Sequence, residues 1–183
     1  MDMELITSNK KKLEEFKRIL PEIKSRPGDD LREVEGTAKE VIMYKSLEAG
    51  IGAIVEDTIL IINGEEVVDI KWKIDELKKL KPVDTIKASW QVMLGYNNGE
   101  EINIYRGIVN GIIIPDSKDR GYGFDPYFLP DGSDVTLARL EQEGRKDNFS
   151  ARKNALISLK KDRPEDVIKI KYINEWDGEY QNN

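Results

Sequence analysis

Met3-Glu4-Leu5-Ile6-Thr7-Ser8-Asn9-Lys10-Lys11-Lys12-Leu13-Glu14-Glu15-Phe16-Lys17-Arg18-Ile19-Leu20 changes its hydrophobic period part-way along. Met3 to Thr7 reads as a short strand. From Lys10 the spacing changes: Leu13, Phe16 and Leu20 fall on one face of a helix, which Pro21 stops. A strand that passes through a polar turn straight into an amphipathic helix is the opening unit of an α/β layer structure.

Further along, Pro27-Gly28-Asp29-Asp30 is a turn, and Thr37 with Glu40 has capping-box spacing for a second helix ending at Gly50. Ile51–Val55 reads as a buried strand, continued as extended chain from Thr58 to Asn63. Trp72–Leu80 reads as a helix closed by Pro82. Lys87–Leu94 and Glu101–Tyr105 form a hairpin across Asn97-Asn98-Gly99, with a third strand through Ile112-Ile113-Ile114. A polar loop spans Asp116–Asp134, then a helix Asn148–Lys161 and a last strand Val167–Ile173. Helices interleaved with strands, and an antiparallel stretch in the middle, predict an α/β protein with a mixed sheet. No linker, repeat or low-complexity tract divides residues 1–183, so a single domain is expected.

Composition narrows the chemistry. The 183 residues contain no Cys, which excludes disulfides, thiolate nucleophiles and cysteine zinc sites. They also contain no His, which excludes Ser-His-Asp triads and imidazole bases. Acid–base work falls to Asp, Glu, Lys or Tyr, and a metal, if used, is a hard cation on oxygen ligands. A net charge of −6 and a pI near 5.0 argue against a binder of polymeric nucleic acid, though not against a local basic pocket. No apolar run suits a bilayer span, and the acidic start lacks the features of a targeting peptide, so a cytoplasmic location without membrane contact is expected.

Four segments carry candidate chemistry. Thr7-Ser8-Asn9-Lys10-Lys11-Lys12 sits at a helix N-terminus, where unpaired backbone N–H groups and lysines suit phosphate; a capped, solvated helix start is the plainer reading. It is not a P-loop, because the glycines and the Gly-Lys-Ser/Thr ending are missing. Glu33-Val34-Glu35 and Glu56-Asp57 offer carboxylates, the latter where an apolar strand surfaces; such groups suit Mg²⁺, or simply end strands. Gly121-Tyr122-Gly123-Phe124-Asp125-Pro126-Tyr127-Phe128 combines aromatic faces for base stacking with turn glycines, and Phe128 reads as a plug beneath the loop. Lys146, with Ser150-Ala151-Arg152, supplies cations and donors near the last helix, or a solvated helix face.

In this order, the segments resemble the Ham1-type family of inosine triphosphate pyrophosphatases. The family's T-G-N-x-x-K stands here as Thr7-Ser8-Asn9-Lys10-Lys11-Lys12, followed by Leu13-Glu14-Glu15-Phe16. Its acidic residue before a Gly, and the Lys on the next helix, match Glu33, Gly36 and Lys45. Val55-Glu56-Asp57-Thr58-Ile59-Leu60, the Gly121–Phe128 loop and Lys146-Asp147-Asn148-Phe149-Ser150-Ala151-Arg152 match its remaining motifs. Two positions depart from the pattern. Ala151 stands where the family usually has His, and Ile61–Ile70 lacks the usual Gly/Pro-rich loop.

The resemblance implies a long mixed sheet flanked by helices, two lobes and a central cleft. It implies Mg²⁺-dependent hydrolysis of ITP, dITP and XTP to monophosphate and pyrophosphate by a homodimer. Asp57 would be the catalytic base, with Glu33 and Asp57 on the metal. Substrate would meet Thr7, Ser8, Asn9, Lys10, Lys11, Lys12, Lys45, Thr58, Tyr122, Gly123, Phe124, Asp125, Lys146, Ala151 and Arg152, with Asp125 and Arg152 reading the base edge. A Maf-like pyrophosphatase of pyrimidine or modified nucleotides, or a nucleotide binder without turnover, are the alternatives.

Overall fold

The computed structural model of the chain describes residues 2–67, 69–80 and 85–181. The strands are β1 (Glu4–Ile6), β2 (Lys24–Arg26), β3 (Ala53–Ile62), β4 (Glu65–Val67), β5 (Lys87–Asn97), β6 (Glu101–Ile113), β7 (Phe128–Pro130) and β8 (Asp166–Lys169). The helices are α1 (Lys10–Ile19), α2 (Ala38–Ala49), α3 (Ile70–Leu77), α4 (Leu137–Gln142) and α5 (Ala151–Lys160). The strands form one eight-stranded sheet in the order β2-β1-β3-β5-β6-β7, with β4 on β3 and β8 on β6. β1 pairs parallel with β2 and β3, whereas β6 pairs antiparallel with β7 and β8. The fold is therefore mixed α/β, an open sheet flanked by helices. Among the described residues no helix is long and apolar enough to cross a membrane.

The chain forms two compact units. The first comprises residues 1–57, 92–107 and 152–183, and the second residues 58–91 and 108–151. β3, β5 and β6 each contribute residues to both.

In the first unit, Ile6, Ile42, Val55, Met93, Ile102 and Ile104 are buried in one cluster with Leu31, Ala49 and Ala53. Full burial of each large aliphatic side chain stabilises the fold by about 1.5–3 kcal/mol. The Thr37–Glu40 capping box forms as predicted: Glu40 N–H donates to Thr37 Oγ1 and Thr37 N–H to Glu40 Oε1. α2 packs closely against β5 at Gly95. There the Ser46 hydroxyl, which donates to the Ile42 carbonyl (2.7 Å), lies where any Cβ on Gly95 would stand. Only glycine lets helix and strand approach this closely. In the second unit, Trp90, Phe124 and Phe128 meet edge to face, with centroids 5.9 and 6.1 Å apart, and Ile74 and Leu77 bury the inner face of α3.

Several boundaries differ from expectation. Ile51–Val55 and Thr58–Asn63 merge into the single strand β3. Ile112 and Ile113 are no third strand but the end of β6, whose alternating burial runs on past Tyr105. The loop at 116–134 contains β7, an edge strand whose Pro130 sits at its end, where a missing N–H costs little. β2, β4 and α4 carry no periodic signal in the sequence; each is held by tertiary contacts. The helix expected from Asn148 opens as a 3₁₀ turn at Lys146–Phe149 before α5. The last strand stops at Lys169 and passes into another 3₁₀ turn. Pro82, the expected end of the third helix, lies outside the described residues.

Candidate active site

Each unit carries one polar constellation. In the first, β1 delivers the chain to the turn before α1. Asn9 caps that helix, its Oδ1 accepting from Lys12 N–H (3.1 Å), while its own N–H donates to Thr7 Oγ1 (3.1 Å). Ser8 Oγ accepts from Gly28 N–H (2.9 Å). The three side chains thus fix the turn locally, and an open hollow beside it is lined by Thr7, Asn9, Lys10, Arg26 and Asp29. Of the three lysines, Lys10 is exposed and Lys11 pairs with Glu14 at the surface. Lys12 turns toward β3, with Nζ 3.5 Å from Glu56 Oε1.

Glu33, in the segment between β2 and α2, accepts from Lys45 Nζ at 2.8 Å, and the same ammonium donates to the Glu56 carbonyl at 3.2 Å. Glu56 is buried within β3, which is tenable for a carboxylate only if it is paired. Besides Lys12, it is met by Arg152 on α5, whose Nε and Nη2 lie 3.3 and 3.5 Å from the two Glu56 oxygens, while Nη1 meets Glu15 of α1. Burial pushes the Arg152 guanidinium down to about 10. Asp57 follows on the same strand. Burial pushes its carboxyl from the ordinary 3.8 up to about 6. Lys45 and Lys12 counter that rise, and Glu56 and Glu33 add to it. A carboxylate poised near neutrality among lysines can take a proton from a water and give it back.

In the second unit, the Gly121–Phe128 loop folds as successive turns, Asp125 N–H bonding to the Tyr122 carbonyl (3.0 Å) and Tyr127 N–H to that of Phe124 (2.9 Å). Gly123 takes a left-handed φ of +56°, and a Cβ on Gly121 would stand 2.9 Å from that of Ala138. Phe128 is fully buried, Phe124 packs between Trp90 and Phe128, and Tyr122 is 53% exposed. Asp125 is buried and accepts from Lys146 Nζ at 2.6 Å, the ammonium standing 5.3 Å from the Trp90 ring centroid. Thr58 is half-buried on β3, and Ala151 is fully buried at the head of α5.

The structure therefore groups Lys12, Glu33, Lys45, Glu56, Asp57 and Arg152, and separately Asp125 with Lys146. The guanidinium of Arg152, expected at a base edge, is engaged with Glu15 and Glu56. Glu15 was passed over in the sequence, although it lies three residues from Lys12 and beside the core residue Phe16, on the flank of α1 that turns inward. Trp90 beside Lys146 carried no sequence signal beyond its apolar strand. Among the described residues no group of three or more acidic side chains could hold a metal by itself. Glu33 and Asp57 supply two hard oxygen donors, a set that suits a hard cation sharing its remaining positions with phosphate and water.

Comparison with known proteins adds a family. The model of the Ham1 family matches residues 3–162. The inosine triphosphate pyrophosphatase of Schizosaccharomyces pombe is 31% identical over 158 residues, covering 76% of this chain and 84% of that protein. The dITP/XTP pyrophosphatase of Hyperthermus butylicus is 26% identical over 176 residues, covering 85% and 90%. The structure of the Staphylococcus aureus Ham1 protein superposes with a TM-score of 0.65 at 25% identity, over 86% of this chain and 96% of that one.

Proposed function

The chain belongs to the Ham1 family, and from that premise we propose that it hydrolyses deaminated purine nucleoside triphosphates (ITP, dITP and XTP) to the monophosphate and pyrophosphate, clearing them from the nucleotide pool. The observation that carries the reading is the grouping of Lys12, Glu33, Lys45, Glu56 and Arg152 around the start of the strand that carries Asp57, with the Asp57 carboxyl pushed up to about 6 by burial. Such a group is still mostly ionised at pH 7, and is a stronger proton acceptor than an ordinary aspartate.

In this proposal the triphosphate is met by the Thr7–Lys12 turn and by Lys45, whose charges offset those of the phosphates. Asp57 takes a proton from a water as its oxygen bonds to the α-phosphorus. The bond from that phosphorus to the oxygen bridging toward the β-phosphorus breaks, and pyrophosphate leaves with the electron pair. Glu33 and Asp57 would hold Mg²⁺, which when bound supplies charge neutralisation to the phosphates. Arg152 keeps Glu56 and Glu15 neutralised beneath the site. In the second unit, exposed Tyr122 offers a ring face on which a base can stack. Lys146, held by Asp125, offers donors to the keto oxygen of a 6-keto purine, whereas adenine presents an amino donor there.

Pyrophosphate release from ITP, ATP, dTTP and UTP, with and without Mg²⁺, tests the reading. Release fastest from ITP and dependent on Mg²⁺ is expected. A preference for dTTP or UTP would favour the Maf-like alternative, and ITP binding without product would leave a nucleotide binder. Sedimentation checks the homodimer proposed with it.

A further inference from the structure

The segment Glu33–Glu35 lies in no helix and in no strand of the sheet, yet it carries a carboxylate of the proposed site. Its backbone is held instead by the far end of the chain. Gln181 N–H donates to the Glu33 carbonyl (2.8 Å) and Glu35 N–H to the Glu179 carbonyl (2.9 Å), with an antiparallel bridge between Val34 and Tyr180. Gln181 Nε2 donates to the Val34 carbonyl (2.8 Å), and the Arg32 guanidinium stacks 4.3 Å from the Tyr180 ring centroid. The strap is anchored beyond the segment as well. Trp176 meets Tyr44 of α2 edge to face at 5.2 Å, and its indole N–H donates to the Glu179 carbonyl (2.9 Å); Tyr44 Oη donates to the Asn174 carbonyl (2.7 Å). A Cβ on Gly36 would stand 3.1 Å from the Trp176 ring, so the absence of a side chain there seats the indole. Residues 174–181 lie outside the span matched by the family model.

We propose that Asn174–Gln181 is a positioning strap for Glu33, holding the Glu33–Glu35 backbone so that its carboxylate stays on Lys45, 2.8 Å away. A short unpaired segment on its own would sample many backbone conformations, and each would carry the carboxylate elsewhere. Two backbone bonds and a side-chain amide remove that freedom. The proposal rests on the pyrophosphatase reading of Glu33, and its test separates the two.

The test compares the full chain with a truncation ending at Ile173 and with Trp176→Ala and Trp176→Phe. Amide exchange at Glu35 is followed in metal-free protein, and ITP turnover is titrated with Mg²⁺. Loss of the strap should speed exchange at Glu35 about tenfold. It should raise the Mg²⁺ concentration needed for half-maximal turnover about tenfold, the scale seen when a group supporting a metal ligand is removed, with kcat recovering as Mg²⁺ saturates. Trp176→Ala should follow the truncation, and Trp176→Phe, which keeps the contact with Tyr44, should restore most of the effect. Unchanged exchange at Glu35 overturns the proposal, as does a fall in kcat at every Mg²⁺ concentration with no change in the half-maximal point. A wild-type protein that turns over no ITP refutes the functional reading instead, and the exchange at Glu35 still decides whether the strap holds its segment.

Discussion

Replacing Asp57 with Asn should abolish turnover while making the metal-free protein more stable at neutral pH, and the second effect can be worked from the structure. Burial raises the carboxyl from 3.8 to about 6 despite Lys45 and Lys12, so the folded state disfavours the ionised form. That gap corresponds to about 3 kcal/mol. Because Asp57 is half-buried rather than sealed, residual solvent brings the expected gain for Asn to about 2 kcal/mol, or about 4–8 °C in Tm for a chain of this size. The sign follows from proton binding. Below about pH 4 the carboxyl is protonated in both states and costs nothing. Between about 4 and 6 the folded state keeps the proton that the unfolded state has lost, so wild-type stability falls as pH rises. Above about 6 the full cost is present. The advantage of Asn should therefore be near zero at about pH 4, grow to about pH 6 and stay level beyond it. Thermal unfolding in EDTA at a series of pH values measures it, and pyrophosphate release measures the expected loss of about 10²–10⁴-fold in rate. An Asn variant no more stable than wild type at pH 7.5, or stabilised equally at pH 4.5, would refute the desolvation argument. Near-normal turnover would refute the base assignment.

Arg152→Ala removes the buried guanidinium that Glu15 and Glu56 share, leaving them the more distant Arg18 and Lys12, and should cost about 3 kcal/mol, read as a lower urea midpoint; because the guanidinium is engaged with Glu15 and Glu56, turnover of ITP and ATP should fall together. Lys146→Met removes the proposed donor to the 6-keto oxygen and should lower the ITP-over-ATP ratio of kcat/KM by about 10–100-fold; an unchanged ratio would move discrimination to the backbone of the Tyr122–Asp125 turn. Thr37→Ala breaks the capping box of α2 and should cost about 1 kcal/mol, a fall of about 2–4 °C in Tm, with ITP turnover retained below the transition.

The two constellations explain a feature of the composition. In the proposed reaction no His is available to transfer a proton near pH 7, and Asp57, pushed up to about 6 by burial, is the group proposed in its place. Glu56, next to it in sequence, is more deeply buried and shares Lys12 with it, but Glu56 alone is met by the Arg152 guanidinium. Two adjacent carboxylates thus differ in environment because only one of them faces the buried guanidinium.

Elements whose signals are local were legible in the amino-acid order. The cap at Thr37, the apolar face of α1, the buried run of β3 and the hairpin around Asn98 each rest on contacts within a few residues, which spacing reports directly. The order of the five motifs likewise points to the family on its own. What spacing could not report is which charged groups share a neighbourhood. Arg152 and Glu56 are distant in the chain, and either alone reads as surface charge; only their common burial makes them a pair. β2, β4, β7 and α4 are three to six residues long, too short for a periodic pattern to emerge, and exist because a neighbouring element completes their hydrogen bonds or covers their apolar side. The bridge between Val34 and Tyr180 is the extreme case. Neither segment has a pattern that names the other, and their pairing follows from the path of the intervening chain, which returns the backbone groups of Glu33–Glu35 to partners they could not find locally.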